Sequence, residues 1–152
     1  MSAIVWPVSG GARPVTTTTP TVDPGSRLGV DILALDDLDP SFALVSGEPM
    51  LARAIARRLT TPRGGLFYDP DYGYDVRALL LDGLTPAKLA SARASIAAEV
   101  EKDERVASAA VTFTHDTTAE RLTITIEIET DEGPFDLVLS VDAVTVDLLS
   151  PQ

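Results

Sequence analysis

Residues 122–129 read Leu122-Thr123-Ile124-Thr125-Ile126-Glu127-Ile128-Glu129, an unbroken alternation of apolar and polar side chains. Successive side chains on a strand point to opposite faces, so this stretch predicts a half-buried strand with aliphatics inward and Thr and Glu outward. Glu132-Gly133-Pro134 then signals a turn, and Phe135, Leu137, Leu139 and Val141 alternate again. Val144, Val146 and Leu148 either extend that strand past a kink or form another. On the other side, Val106 to Thr114 also reads as a strand. Consecutive strands joined by short turns predict an antiparallel meander.

Further upstream the period changes from two to that of a helix. Thr85-Pro86 places a hydroxyl at the cap and proline at the first helical position, and Leu89, Ala92, Ile96 and Val100 follow at helical spacing to about Lys102. An earlier helix starts at Gly47 or Ser46, with Glu48 and Pro49 in its first turn and Arg57 and Arg58 at its end. Leu51, Ile55 and Leu59 form its buried stripe, and Arg53 and Arg57 form a second line. Pro62 breaks it. Leu66-Phe67-Tyr68 reads as a short buried segment. A dense turn over Asp69 to Asp75 leads into a short helix ending at Leu81, with Asp75 as its cap. Residues 30–45 suggest a brief strand and then a turn. The expected fold is α+β, with two to three helices packed on a small antiparallel β-meander and an extended N-terminal arm. The arm is expected over residues 1–29 and the domain over 30–152. Pro7, Pro14, Pro20 and Pro24 suit an extended or disordered arm, with Trp6 as its candidate anchor on a partner.

The chain has 152 residues, no cysteine, one histidine and a formal charge of −11 from 23 acids against 12 bases. That balance repels nucleic acid and anionic membrane surfaces. Without cysteine there is no disulfide, thiolate nucleophile or cysteine-ligated zinc. No apolar run approaches the roughly 20 residues of a membrane-spanning helix. The first ten residues lack the basic start and apolar run of a secretory signal.

The remaining constellations point away from catalysis. Asp69, Asp71 and Asp75 invite a calcium reading, but an EF-hand count from Asp69 meets Gly73, Tyr74 and Leu80 where ligands or glycine are needed. Turn-forming aspartates explain the cluster, and neither a metal nor a cofactor is expected. Glu48 and Asp69 could in principle form a glycosidase pair, but the plainer roles are cap and turn. His115 reads as a residue of a hairpin turn. Arg53, Arg57, Arg58 and Arg63 crowd four guanidiniums into eleven residues of an acidic chain, which suits docking of acidic groups, internal or from a partner. From Leu122 to Gln152 there are seven acids and no base, and the edge of such a sheet can accept another chain's strand.

Residues 54–73, Ala-Ile-Ala-Arg-Arg-Leu-Thr-Thr-Pro-Arg-Gly-Gly-Leu-Phe-Tyr-Asp-Pro-Asp-Tyr-Gly, resemble the baseplate wedge family of contractile phage tails. Its members are called sheath initiators and formerly "lysozyme-like", and they extend to type VI secretion and extracellular injection particles. The matching motif is a helix ending in arginines, then Thr61-Pro62-Arg63-Gly64, then Tyr68, Asp69, Asp71, Tyr72 and Gly73. A second family motif, Glu-Pro-Arg, corresponds to Asp103-Glu104-Arg105, with glutamate in place of proline.

The resemblance implies a structural virion protein of the tail baseplate, assembled in the host cytoplasm at six copies per baseplate. Arg57, Arg58, Arg63, Asp103 and Arg105 would dock on wedge proteins. A strand carrying Val138, Val141, Val144 and Val146 would receive arms of the tail sheath protein. Tube and hub proteins are further candidate partners. Two other readings stand beside it: a peptidoglycan muramidase, from the older family label, and a small regulatory binder of the same fold.

Overall fold

The computed structural model describes residues 22–32, 44–142 and 146–149. The alternating stretch forms β4 (Arg121–Thr130), the second strand of a four-stranded antiparallel sheet ordered β3-β4-β5-β6. Its neighbours are β3 (Val106–Asp116), β5 (Gly133–Val141) and β6 (Val146–Leu149). Leu122, Ile124, Ile126 and Ile128 face the core together with Phe135, Leu137, Leu139 and Val141. The register sets Ile126 opposite Leu137 and Val111, so the three strands share one apolar face. The other face carries Thr112, Thr114, Thr123, Thr125, Glu127 and Asp136. The expected α+β architecture is the one observed, with three helices among the described residues and a second sheet of two strands, β1 (Val30–Ile32) and β2 (Leu44–Ser46).

Two helices cover the apolar face. In α1 (Glu48–Thr60), Leu51, Ile55 and Leu59 are buried as the spacing predicts. Gly47 starts it at φ 70°, without a side-chain cap. In α3 (Pro86–Val100), the Thr85 hydroxyl accepts the Lys88 N–H as a true cap. Ala92, Ile96 and Val100 form its inner stripe, and Glu99 is buried beside them. Between them, α2 (Arg77–Leu81) is one short turn, with the Asp75 carboxylate accepting both the Arg77 amide and its guanidinium.

Several expectations change. The last part of the expected arm, residues 22–29, packs on the domain: Leu28 is 2 % exposed, and the Glu132 carboxylate accepts from the Ser26 hydroxyl and the Arg27 amide. The boundary therefore falls before Leu28, because an aliphatic side chain there has an apolar pocket to enter. Trp6 and Val144 lie outside the described residues. Phe67 and Tyr68 are fully and largely exposed, at 101 % and 81 %. The reason is local. Leu66 bridges to Asp69, so the chain reverses at the two aromatics and turns both side chains outward. His115 belongs to β3 opposite Leu122, and the hairpin turn lies one step later, over 117–120. The turn expected at 132–134 closes at 131–132 instead, and Pro134 sits in β5 beyond the reach of β6, where its missing donor is not needed.

Candidate functional site

Helix α1 ends where it must. Pro62 cannot continue it, and the Thr61 hydroxyl donates to the Arg57 carbonyl at 2.7 Å. The chain then leaves and returns as a narrow loop. The Gly64 amide donates to the Pro70 carbonyl at 2.9 Å, Gly65 to Pro62 at 2.9 Å and Tyr72 to Asp69 at 3.2 Å. Gly73 brings the return strand against the exit: a Cβ there would stand 2.2 Å from the Thr61 carbonyl oxygen, and its φ is 99°. Both facts demand glycine. Tyr74 and Val76 then donate to the Arg58 and Leu59 carbonyls, stitching the loop to the end of α1.

A buried carboxylate holds the base of this loop. Glu99, from the last turn of α3, has a fully buried side chain. Its Oε1 accepts from Arg58 Nη1 and the Gly73 amide, both at 3.0 Å, and its Oε2 accepts from Lys102 Nζ at 2.8 Å and Arg63 Nη2 at 3.1 Å. Burial pushes the Glu99 carboxyl up. The hydrogen bonds from Lys102, the Gly73 amide and Arg58 outweigh it and leave the group below the usual carboxylate range. The guanidinium of Arg58 also lies 4.3 Å over the Tyr72 ring, and Lys102 reaches the Asp71 carbonyl. One acid thus fixes three cations and a backbone amide from four places in the chain.

The other expected docking residues are also engaged internally. Arg57 pairs with Asp31 of β1 at 2.8 Å, with both side chains nearly half exposed. Arg105 and Asp103 form a two-pronged pair at 2.6 and 2.7 Å, and Arg105 donates to the Leu28 carbonyl at 2.8 Å. The side-chain bond to Arg105 holds the Asp103 carboxyl below its ordinary value. Arg53, expected on the same line as Arg57, has an enclosed Nη1 with no hydrogen-bond partner among the described residues. Arg57, Arg58, Arg63 and Arg105 are therefore first an internal clamp, joining α1, α3, the loop, β1 and residues 22–29. Glu99 was the residue that sequence reasoning missed. A signal existed, since it lies three residues after Ile96 and seven after Ala92 on the buried stripe of α3.

The expected strand-joining residues are not all at an edge. Val138 and Val141 belong to β5, which is hydrogen-bonded to β4 on one side and β6 on the other. Of the four, Val146 is the one described on an edge strand, and it packs half-buried against the core. A longer edge lies at the opposite side of the sheet. The Ala109 amide donates outward to Glu101 Oε1, so in an antiparallel ladder Val111, Phe113 and His115 present their backbone groups outward too. Glu48 and Asp69, the pair weighed for glycosidase chemistry, are both exposed, at the start of α1 and the tip of the loop. Among the described residues, no group of three or more acidic or histidine side chains is placed to hold a metal ion. No described helix is long and apolar enough to cross a membrane. No protein-family model and no curated protein matches the chain.

Proposed function

We propose that this chain is a structural component of a contractile-tail baseplate that links the wedge to the sheath and templates the first sheath ring by strand addition. The observation that carries the reading is the open acidic meander. Strand β3 runs eleven residues, and from Val111 to His115 its outer edge has no backbone partner among the described residues. No lysine or proline interrupts it, although free edges usually carry such protection. The motif over residues 54–73 supports the same reading, with its turn and buried clamp holding one rigid wedge-side body. Strand addition then joins partners by main-chain bonds and takes register from alternate side chains. Strand β6 offers a second edge, but its outward positions in the ladder are only Val146 and Leu148.

His115→Pro tests the edge directly. It removes an outward amide at an exposed position and leaves the β3–β4 bonds in place. In the assembled system, sheath polymerisation should fail while the variant enters baseplates and keeps its circular dichroism. Sheaths of normal length would refute addition at β3, and Leu148→Pro is then the corresponding test of β6. Failure of the wild-type chain to enter a baseplate would refute the reading as a whole.

A further inference from the structure

We infer that residues 61–73 are a preformed recognition knob whose tip, Phe67 and Tyr68, inserts into an apolar pocket edged by Lys or Arg on a wedge subunit. The inference rests on the proposed baseplate role and names the contact within it. Among the six described aromatic residues, these two alone are exposed. Tyr72, Tyr74, Phe113 and Phe135 are half-buried or buried. A solvent-exposed Phe beside an exposed Tyr has no stabilising role in the folded chain, because neither removes apolar surface from water.

The base of the knob shows the opposite economy. A carboxylate is fully buried under it and needs three cations and an amide to offset its desolvation. Such a cluster adds little net stability over an apolar filling. What it does add is definition: the loop leaves α1 and returns in one geometry, and internal bonds at Gly64, Gly65 and Tyr72 continue that definition to the tip. A rigid loop presents aromatic anchors at low entropic cost, and Tyr-type anchors dominate binding energies.

Charge selects the partner. Asp69 and Asp71 follow the tip, both exposed and neither in a salt bridge with another described residue. A basic rim around the receiving pocket would complement them. The knob also projects from the ends of α1 and α3 rather than from the sheet, so strand addition to sheath and knob insertion into wedge can occur together. The described residues also form a mixed groove of about 590 Å³, lined by Leu80, Leu81 and Leu84 on one side and His115, Thr117 and Glu120 on the other. Insertion into a second copy is therefore the competing outcome.

The test uses the full chain with the wedge subcomplex and sheath protein of a contractile tail. Binding to the wedge subcomplex is measured by titration calorimetry, and self-association by sedimentation. Phe67→Ala and Tyr68→Ala should each weaken wedge binding by about tenfold or more, with unchanged thermal stability and unchanged sheath binding. Asp69→Asn combined with Asp71→Asn should weaken it less and flatten its salt dependence. Wedge binding equal to the parent's in both aromatic variants overturns the inference while leaving the baseplate reading intact. Self-association abolished by Phe67→Ala, without any wedge effect, assigns the knob to a second copy and also overturns it. No binding of the parent to either protein overturns the baseplate reading itself.

Discussion

Replacing Glu99 by Gln changes one charge and almost no volume, and the structure sets what that should do. The amide oxygen can still accept the Gly73 N–H, so the backbone of the loop stays paired. The three cations respond differently. The side chains of Arg63 and Lys102 are 56 % and 45 % exposed and can turn to water, so each loses little. Arg58 is 17 % exposed and lies under Tyr72, so it keeps a largely desolvated charge with its counter-ion gone. The glutamine NH2 also points donors at donors. Breaking a buried pair by removing one partner costs about 3–5 kcal/mol, and the retained acceptor brings Glu99→Gln to about 2–3 kcal/mol. For a domain of this size that corresponds to a fall in Tm of roughly 10 °C.

Urea denaturation followed by far-ultraviolet circular dichroism, at pH 7 and again near pH 3, measures both the size and the sign. The Glu99 carboxyl is lowered in the folded chain relative to about 4.3 in an unfolded one. Its contribution is therefore complete above the unfolded value and disappears as the pH falls through the folded one. Parent and variant should converge in acid. A variant within about 0.5 kcal/mol of the parent at pH 7, or a gap of equal size at both pH values, would refute the clamp as the element that organises the loop.

Two further substitutions check the surrounding parts. Gly73→Ala forces a Cβ into the Thr61 carbonyl and strains a positive φ, so a loss of about 2–4 kcal/mol is expected by the same denaturation, with hydrogen exchange quickened at Tyr74 and Val76; unchanged stability would show that the loop base can open freely. Arg105→Ala leaves Asp103 about one-eighth exposed without its counter-ion, keeping only the amide of residue 105, and frees the Leu28 carbonyl, so trypsin should cut after Arg27 faster than in the parent, at a stability cost of about 2–4 kcal/mol; an unaltered cleavage rate would detach residues 22–29 from this pair.

Much of the architecture was legible because it is written in short-range pattern. Alternation at Leu122–Glu129 and Phe135–Val141 needs only the two-residue period of a strand to predict the buried face. The Thr85-Pro86 start of α3 and the Leu51, Ile55, Leu59 stripe of α1 are equally local. The turn at Pro62 and Gly64 was readable as a helix stop, but the direction of its tip was not. Leu66, Phe67 and Tyr68 are an apolar triplet, and an apolar triplet predicts burial until the Leu66–Asp69 bridge is known to reverse the chain there. In the same way, Val138 and Val141 looked like part of a free edge until β6 paired with β5 and made that strand interior.

The sequence by itself determined α1, α3 and the strands β3 to β5, their inward faces and the concentration of arginines at the end of α1, since each follows from bonds and spacings within a few residues. Only the tertiary structure decided what those arginines do. Arg58 and Arg63 lie 41 and 36 residues from Glu99, and Arg105 lies 77 from the Leu28 carbonyl. Which charge neutralises which depends on how α1, α3 and the loop meet. That meeting is set by burial of apolar faces, a force with no memory of sequence separation, and the charges must then find partners in the geometry it leaves.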